Sequence, residues 1–387
     1  MTDARPAAQR RILSALHAEP ARIPFVLGPC GIGRTATLLQ LRQTIGFSRC
    51  QYVDVEQSAT TPEGFLTAVT GASPFSGPAY PRPLEDGISA RDAFQAALGF
   101  LVSARTEDGE PATFLLDEAL ELRTFDSFPG LRIVLRDLMQ ALQHSHNRFV
   151  LTTRYVSRAH RLLRDAPSKY EVVRLPSFSP AEVADVLSND YAPQDTLRRA
   201  ELARTVHALT DGRPAYVRFL DDAMRTMGGR GADDPVAALA GQIARGTPLY
   251  GWCRFCYELR LHRARGYGAL KAILQVLAEE EPLTLTAIAQ RLRRTPGSTK
   301  DYLSWLEDVD LVMARQKRYT FLDPLLRLWV RLHCRSEPLN DEALAREVQR
   351  FAHSVLPNAE PALALVTADS ARDVGRRDRG WSVVEID

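Results

Sequence analysis

Eight residues, Gly28-Pro29-Cys30-Gly31-Ile32-Gly33-Arg34-Thr35, follow directly on the apolar run Phe25-Val26-Leu27 and lead into a helical spacing of Leu38, Leu39, Leu41 and Ile45. A buried strand that feeds a glycine loop and then opens a helix admits few architectures. The glycines let the backbone curl so that several amide N–H groups point inward, and the helix aims its positive dipole end at the same spot. An anion belongs there. Two glycines five apart, followed by a cation and a hydroxyl, have the spacing of a phosphate-binding loop. Thr35 would then place its hydroxyl on Mg²⁺ beside the terminal phosphates of ATP or ADP. Arg34 stands where such loops carry lysine. Its planar fork can still hold phosphate, but its reach differs from that of an ammonium.

The rest of the first half supplies what such a loop needs around it. Strands are expected at Tyr52–Val55, Thr113–Leu116, Arg148–Thr152 and Glu171–Leu175, with helices over Ala7–Ala18, Ala90–Ala104 and Leu131–Gln143 between them, and the Pro-, Gly- and Ser-rich stretch from Ser73 to Gly87 reads as a loop. Strands alternating with helices argue for an α/β fold, a three-layer P-loop NTPase with a mostly parallel sheet and its ligand crevice at the carboxyl ends of the strands. Thr113-Phe114-Leu115-Leu116 runs straight into Asp117-Glu118. An apolar strand tipped by two carboxylates suits phosphoryl transfer, with Asp117 steadying Mg²⁺ and Glu118 orienting the attacking water, so Glu118, Asp117 and Arg34 are the candidate catalytic groups. Phe149-Val150-Leu151-Thr152-Thr153-Arg154 is a further strand ending in polar residues. Either Thr152, Thr153 or Arg154 faces the terminal phosphate, or the hydroxyls merely finish a strand.

After Pro176 the pattern becomes helical. Ser179-Pro180-Ala181-Glu182 carries a capping residue, a first-turn proline and an acid, and further helices reach about Met227, before the break Gly228-Gly229-Arg230-Gly231. Short helices follow over Tyr267–Leu277, Leu285–Leu292 and Ser298–Val309. A small hairpin of Leu311–Arg315 and Arg318–Phe321 about Gln316-Lys317 completes a helix-turn-helix with a wing. The expected division is a nucleotide-binding core over 1–176, an all-helical lid over 177–230, a winged helix-turn-helix domain over 231–335, and a C-terminal helix and tail over 336–387. Beyond Pro357 no amphipathic period is evident.

With 45% hydrophobic and 25% charged residues in 387, the chain has ordinary globular composition and needs no staples. Five cysteines make no disulfide framework, and Cys253-Arg254-Phe255-Cys256 lacks the second pair or histidine that a zinc site requires. His144-Ser145-His146 closes a helix, where histidine suits the dipole. Neither a secretion signal nor a membrane span is visible, so the expected location is the cytoplasm, with no membrane partner.

The order of these motifs resembles the AAA+-like and STAND-type ATPases, above all the archaeal-ATPase family, which also has bacterial members. The likeness spans about Arg22 to Arg331. Within it, Leu209-Thr210-Asp211-Gly212-Arg213-Pro214 is similar to that family's lid turn. That resemblance implies Arg213 and Pro214 near the nucleotide, together with Gly28, Pro29, Cys30, Gly31, Ile32, Gly33, Arg34, Thr35, Thr153 and Arg154. Tyr319 to Trp329 resembles its wing and the Asp-Pro helix that follows. The resemblance implies an ATP-dependent molecular switch rather than a metabolic enzyme, with Arg34 as the departure that bears on hydrolysis. The alternative is a hydrolysis-deficient, nucleotide-binding scaffold or a DNA-binding regulator that works through protein–protein contacts; a protein partner or self-association is expected in either case.

Between Arg254 and Arg335 fifteen Lys and Arg stand against nine Asp and Glu. The candidate recognition helix itself offers one lysine, Lys300, beside Asp301, Glu307 and Asp308, which is weak base-reading chemistry. Arg291, Arg293 and Arg294 before it, and Arg315, Lys317 and Arg318 in the wing, could meet DNA phosphates. The other reading is a solvated face on a domain that packs against the core or a partner protein.

Overall fold

The computed structural model describes residues 5–77, 87–164, 169–189, 192–227, 234–262, 266–335 and 337–356. The expected glycine break at 228–231 and the tail from 357 onward lie outside the described residues.

Helix α1 (Pro6–Leu16) precedes strand β1 (Ile23–Leu27), the loop, and helix α2 (Arg34–Ile45). Strand β2 (Cys50–Asp54) follows, then α3 (Val55–Ser58), α4 (Pro62–Thr70), α5 (Ala90–Ser103) and strand β3 (Thr113–Asp117). A 3-10 helix (Ala119–Ser127), α6 (Val134–His144), strand β4 (Arg148–Thr153), α7 (Val156–Arg164) and strand β5 (Tyr170–Arg174) complete the core. The strands form one parallel sheet in the order β2-β3-β4-β1-β5, with Val26 opposite Thr152 and Asp54 opposite Asp117. This is the parallel α/β architecture that the strand and helix alternation demands.

The sheet is buried on both faces, and alternate residues serve each. Val26, Leu115 and Val150 pack with Ile12, Leu16, Leu38 and Leu41 of α1 and α2. Phe25, Leu27, Phe114, Leu116, Phe149 and Leu151 point the other way, into the larger core. Near-continuous apolar strands are the consequence of this double burial. β2 ends at Asp54 rather than running on to Val55, because the Asp54 carboxylate accepts from the Gln57 amide at 3.0 Å and caps α3.

Beyond the sheet come α8 (Pro180–Val186), α9 (Thr196–Thr210), α10 (Pro214–Met227), α11 (Pro235–Ile243) and α12 (Pro248–His262). Ser179 and Glu182 form a complete capping box at the start of α8. α11 and α12 were not expected from the sequence. Then α13 (Tyr267–Glu279), strand β6 (Leu283–Thr284), α14 (Leu285–Arg291), α15 (Pro296–Asp308), strands β7 (Val312–Arg315) and β8 (Arg318–Phe321), α16 (Pro324–His333) and α17 (Asp341–Val355) follow. β6, β8 and β7 form an antiparallel sheet beside α13, α14 and α15. Gln316 and Lys317, both at positive φ, make the tight turn between β7 and β8.

The C-terminal half is seated on the core through charged latches. At the end of α15 and just beyond it, Asp308 pairs with Arg161 of α7, and Asp310 accepts from the Ser157 hydroxyl at 2.5 Å and from its amide at 3.2 Å. Buried Arg260 of α12 donates to the Asp310 carbonyl at 3.0 Å. Arg158 lies 3.9 Å from Asp308 and over the Tyr155 ring, so Arg158 and Arg161 are both engaged within the chain. No helix among the described residues is long and apolar enough to cross a membrane.

Candidate nucleotide site

The loop leaves β1 at Gly28 and reaches α2 through two backbone positions that L side chains avoid, Gly31 at φ +78° and Gly33 at φ +95°. At Gly31 the demand is double, since a Cβ there would also sit 2.9 Å from the Cβ of Ala215. The Gly31 carbonyl accepts from the Ala215 amide at 3.0 Å, so the first turn of α10 is hydrogen-bonded to the loop.

Arg34 is only 8% exposed. Its guanidinium donates to the carbonyl of Gly28, to that of Pro29 at 2.6 Å, and to Oε1 of Glu118 at 2.5 Å. Thus the loop's cation bridges the loop's own backbone to the second acid of β3. Glu118 emerges in a left-handed conformation, φ 57° and ψ 43°. Its amide donates to Thr152 Oγ1 at 2.9 Å, its Oε2 accepts from the Arg154 amide at 2.9 Å, and Arg154 Nε lies 3.1 Å from Oε1. Arg154 also pairs with Glu56 of α3. Burial pushes the Glu118 carboxyl upward, but Arg34 and Arg154 outweigh it and hold the group below the usual carboxylate range. Burial raises Glu56 instead, despite Arg154.

Asp117 collects hydroxyls. Thr35 donates to its Oδ2 at 2.6 Å, Tyr52 to the same oxygen at 3.0 Å, and Thr152 to Oδ1. A hydroxyl and a carboxylate meeting beside a glycine loop form a donor set suited to a hard divalent cation. Burial and the neighbouring Asp117 carboxylate raise the Tyr52 phenol, which keeps it protonated as a donor.

These groups line a pocket of about 350 Å³ together with Cys30, Gly31, Gly33, Glu56, Pro214 and Arg218. Its far wall is Trp252, Phe255 and Cys256 of α12. Three buried donors on its lining make no hydrogen bond, Arg34 Nε, Trp252 Nε1 and Arg154 Nε, the last of them ion-paired with Glu118 Oε1 at 3.1 Å. Of the residues expected from the sequence, Cys30, Gly31, Gly33, Arg34, Thr35, Asp117, Glu118, Arg154 and Pro214 converge on this pocket. Gly28 and Pro29 contribute carbonyls to Arg34, and Ile32 is packed into the apolar layer beneath α2. Thr153 is turned aside, its hydroxyl accepting from the Tyr155 amide at 3.2 Å.

Arg213 is placed elsewhere. Its guanidinium, 3% exposed, donates to Asp323 Oδ2 at 2.5 Å and to the Leu322 carbonyl at 3.1 Å, and Tyr216 donates to the same carboxylate oxygen at 2.7 Å. Asp323 caps α16 through its other oxygen, so Arg213 holds α16 against the start of α10 instead of lining the pocket. The sequence reading did not bring Tyr52, Glu56, Arg218, Trp252 or Phe255 to the site. The one legible signal was the spacing of Trp252, Phe255 and Cys256, which share a helix face at i, i+3 and i+4. Cys253 and Cys256 are buried, and no group of His, Cys, Asp and Glu among the described residues could hold a metal ion by themselves.

No protein-family model matches this sequence, and no curated protein matches it. Solved structures do. The chain is similar to the Walker-type ATPase of Pyrococcus abyssi at 17% identity, with a TM-score of 0.59 over 85% of this chain and 95% of that one. It also matches Aeropyrum pernix ORC1 in complex with DNA, at 16% identity and a TM-score of 0.46 over 92% of this chain and 95% of that one. A RuvB variant of Thermotoga maritima matches at 11% identity and a TM-score of 0.38, over 82% and 92%. The first of these likenesses shows the fold, that of a P-loop ATPase.

Proposed function

We propose that this protein is an ATP-binding switch of the AAA+ kind. Arg34 and Glu118 disable each other in the closed form, and phosphate separates them. The observation that carries this reading is the buried contact of 2.5 Å between the loop's cation and Glu118, just past β3, reinforced by Arg154, just past β4. The donors Arg34 Nε and Trp252 Nε1, which make no hydrogen bond, suit an anionic ligand. In this reading the amides of residues 28–35 hold the phosphates, and Thr35 and Asp117 hold magnesium. Bound magnesium would supply charge to the phosphoryl oxygens.

What the chain's own residues do follows from their bonds. While Glu118 accepts from Arg34 and Arg154 together, Oε1 is held by two guanidinium groups and Oε2 by the Arg154 amide, so the carboxylate is badly placed to orient a water. An anion that draws Arg34 away frees Oε1 but leaves the Arg154 amide on Oε2, so Glu118 stays aimed at the pocket. The same movement disturbs the Gly28 and Pro29 carbonyls, and with them the loop whose Gly31 carries α10. Nucleotide state is thereby tied to the seating of the C-terminal half.

A DNA contact through that half is favoured by one observation. Arg293, Arg294, Lys300, Arg315 and Lys317 are all exposed. Among the described residues no acid pairs with Arg293, Arg315 or Lys317. We read α14, α15 and the β7–β8 hairpin as a winged helix that meets phosphates through these side chains.

The deciding experiment is calorimetric titration with ATP, with and without Mg²⁺, alongside phosphate release, on the natural chain and on Thr35→Ala. Binding that needs Mg²⁺ and weakens in the variant supports the reading. Absence of binding in the natural chain overturns it.

A further inference from the structure

We propose that Cys30 of the phosphate loop and Cys256 of α12 form a redox-sensitive dithiol, and that its oxidation by a small hydroperoxide to a disulfide staples the C-terminal half to the loop. The inference goes beyond nucleotide binding, and the linkage itself does not depend on it.

Geometry comes first. Both thiols line one pocket, although the residues themselves are only 5% and 1% exposed. Next to Cys30, a Cβ on Gly31 would lie 3.7 Å from the indole of Trp252. Cys256 is one helical turn beyond Trp252 on the same face of α12, which carries it beneath the loop. There the Cys256 thiol meets that of Cys30 as a hydrogen-bonding neighbour.

Charge then assigns the roles. The hydrogen bond from Cys256 draws the Cys30 thiol well below its ordinary range; burial opposes this, while Arg260, Arg154 and Arg34 assist. Cys256, as the donor in that bond and buried, is held well above it. The two thiols are thus pushed in opposite directions, Cys30 toward the thiolate and Cys256 toward the thiol, the arrangement that suits attack followed by resolution. The other cysteines lack it. Burial pushes the Cys50 thiol up to about 12, it raises Cys253 well above the ordinary range, and it raises Cys334 as well.

The chemistry balances with a hydroperoxide as oxidant. The Cys30 thiolate attacks one peroxide oxygen, the O–O bond breaks, and Cys30 becomes a sulfenic acid as the other oxygen leaves as hydroxide and takes up a proton. The Cys256 sulfur then attacks the Cys30 sulfur, the S–O bond breaks, and water leaves with the Cys256 proton. Two thiols are oxidised and one peroxide is reduced to two waters. Arg260 stands by the thiolate while its other contact runs to the Asp310 carbonyl, so the same guanidinium joins the dithiol to the docked α15 segment.

The test uses the full chain, reduced, desalted and treated with one equivalent of hydrogen peroxide. Thiols are counted under denaturing conditions and the disulfide is mapped by non-reducing peptide mass spectrometry. The expected result is loss of two thiols and a single Cys30–Cys256 linkage that a reductant reverses. It should be absent in Cys256→Ser and retained in Cys253→Ser. A linkage to any other cysteine, or sulfinate on Cys30 with Cys256 still reduced, overturns the proposal. Should a serine variant fold poorly, the alkylation rate of Cys30 in the natural chain decides as well. Its pH midpoint should lie below that of an ordinary thiol, and an ordinary midpoint counts against the pair. Neither readout needs ATP, so failure of the nucleotide reading leaves both intact.

Discussion

Glu118→Gln removes one negative charge and almost no volume from the centre of the site. In the natural chain the carboxylate takes Arg34 at 2.5 Å, Arg154 Nε at 3.1 Å and the Arg154 amide at 2.9 Å. Depriving a buried ion pair of one partner costs about 3–5 kcal/mol, because the remaining charge stays buried without compensation. Here the lower end applies, since Arg154 keeps Glu56 and the amide oxygen can still accept one N–H. Arg34 keeps only carbonyls. At about 2–4 °C per kcal/mol for a domain of this size, a loss of about 3 kcal/mol lowers the melting midpoint by roughly 6–12 °C. Nucleotide should narrow the gap, because phosphate replaces the charge that Arg34 lost. If half of the deficit is recovered on binding, ATP–Mg binds the variant roughly tenfold more tightly than the natural chain, each tenfold being about 1.4 kcal/mol. Thermal melts with and without ATP–Mg, together with calorimetry, read both effects. A variant as stable as the natural chain without nucleotide, or one whose thermal shift with ATP–Mg is no larger, refutes the mutual-disabling argument.

Asp323→Asn strands the buried Arg213 guanidinium, leaving it the Leu322 carbonyl and, as its one acid, the exposed Asp211 at 3.6 Å, and should destabilise the chain by about 3 kcal/mol in urea unfolding. Adding Arg213→Met should recover much of that loss, and strictly additive costs would show that the two residues do not act as a pair. Because Glu118 titrates lower in the folded than in the unfolded chain, its contribution is complete above the ordinary carboxylate pKa and disappears as pH falls through the depressed one. The stability gap between the natural chain and Glu118→Gln should therefore be flat from neutral pH down to about 5 and close only below about 4; a gap that closes near neutrality would contradict the assignment. Charge reversal at Arg293, Arg294 and Lys317 should weaken DNA binding and flatten its salt dependence by about 0.9 log unit per lost phosphate contact. An unchanged slope would remove these residues from the interface.

The fold was legible where physics is local. Strands buried on both faces are written as apolar runs, and helix starts as cap-proline pairs, seen at Thr61-Pro62, Ser179-Pro180, Thr295-Pro296 and Asp323-Pro324. The phosphate loop and the Asp117-Glu118 pair are similarly compact. What they do to one another is not, since Arg34 and Glu118 are 84 residues apart and only the sheet order sets them side by side. Arg213 illustrates the opposite failure. A lid-turn likeness points it at nucleotide, but an aspartate 110 residues later claims it, and no spacing rule carries that partner. α12 was hidden because its aromatic, cysteine and arginine residues cover several faces, one against the loop and others against the helices around it.

The latches also change how the charges of the C-terminal half should be counted. As a string, residues 254–335 oppose nine acids to fifteen bases, and α15 looks acidic at its end. In the folded chain Asp308 and Asp310 face α7, where Arg161 and Ser157 take them, and Asp323 is buried under Arg213. Glu280, Glu281 and Glu279 pair with Arg291, Arg327 and Arg335. Most of these acids are engaged within the fold, while Asp301 and the bases Arg293, Lys300, Arg315 and Lys317 remain exposed. The end of α15 that carries Asp308 is the end that docks, and the opposite end and the β7–β8 hairpin carry the exposed bases. A docked C-terminal half and a basic outer face are then consistent with each other, and loosening the loop at Gly31 would alter how that face is held without passing through the basic residues at all.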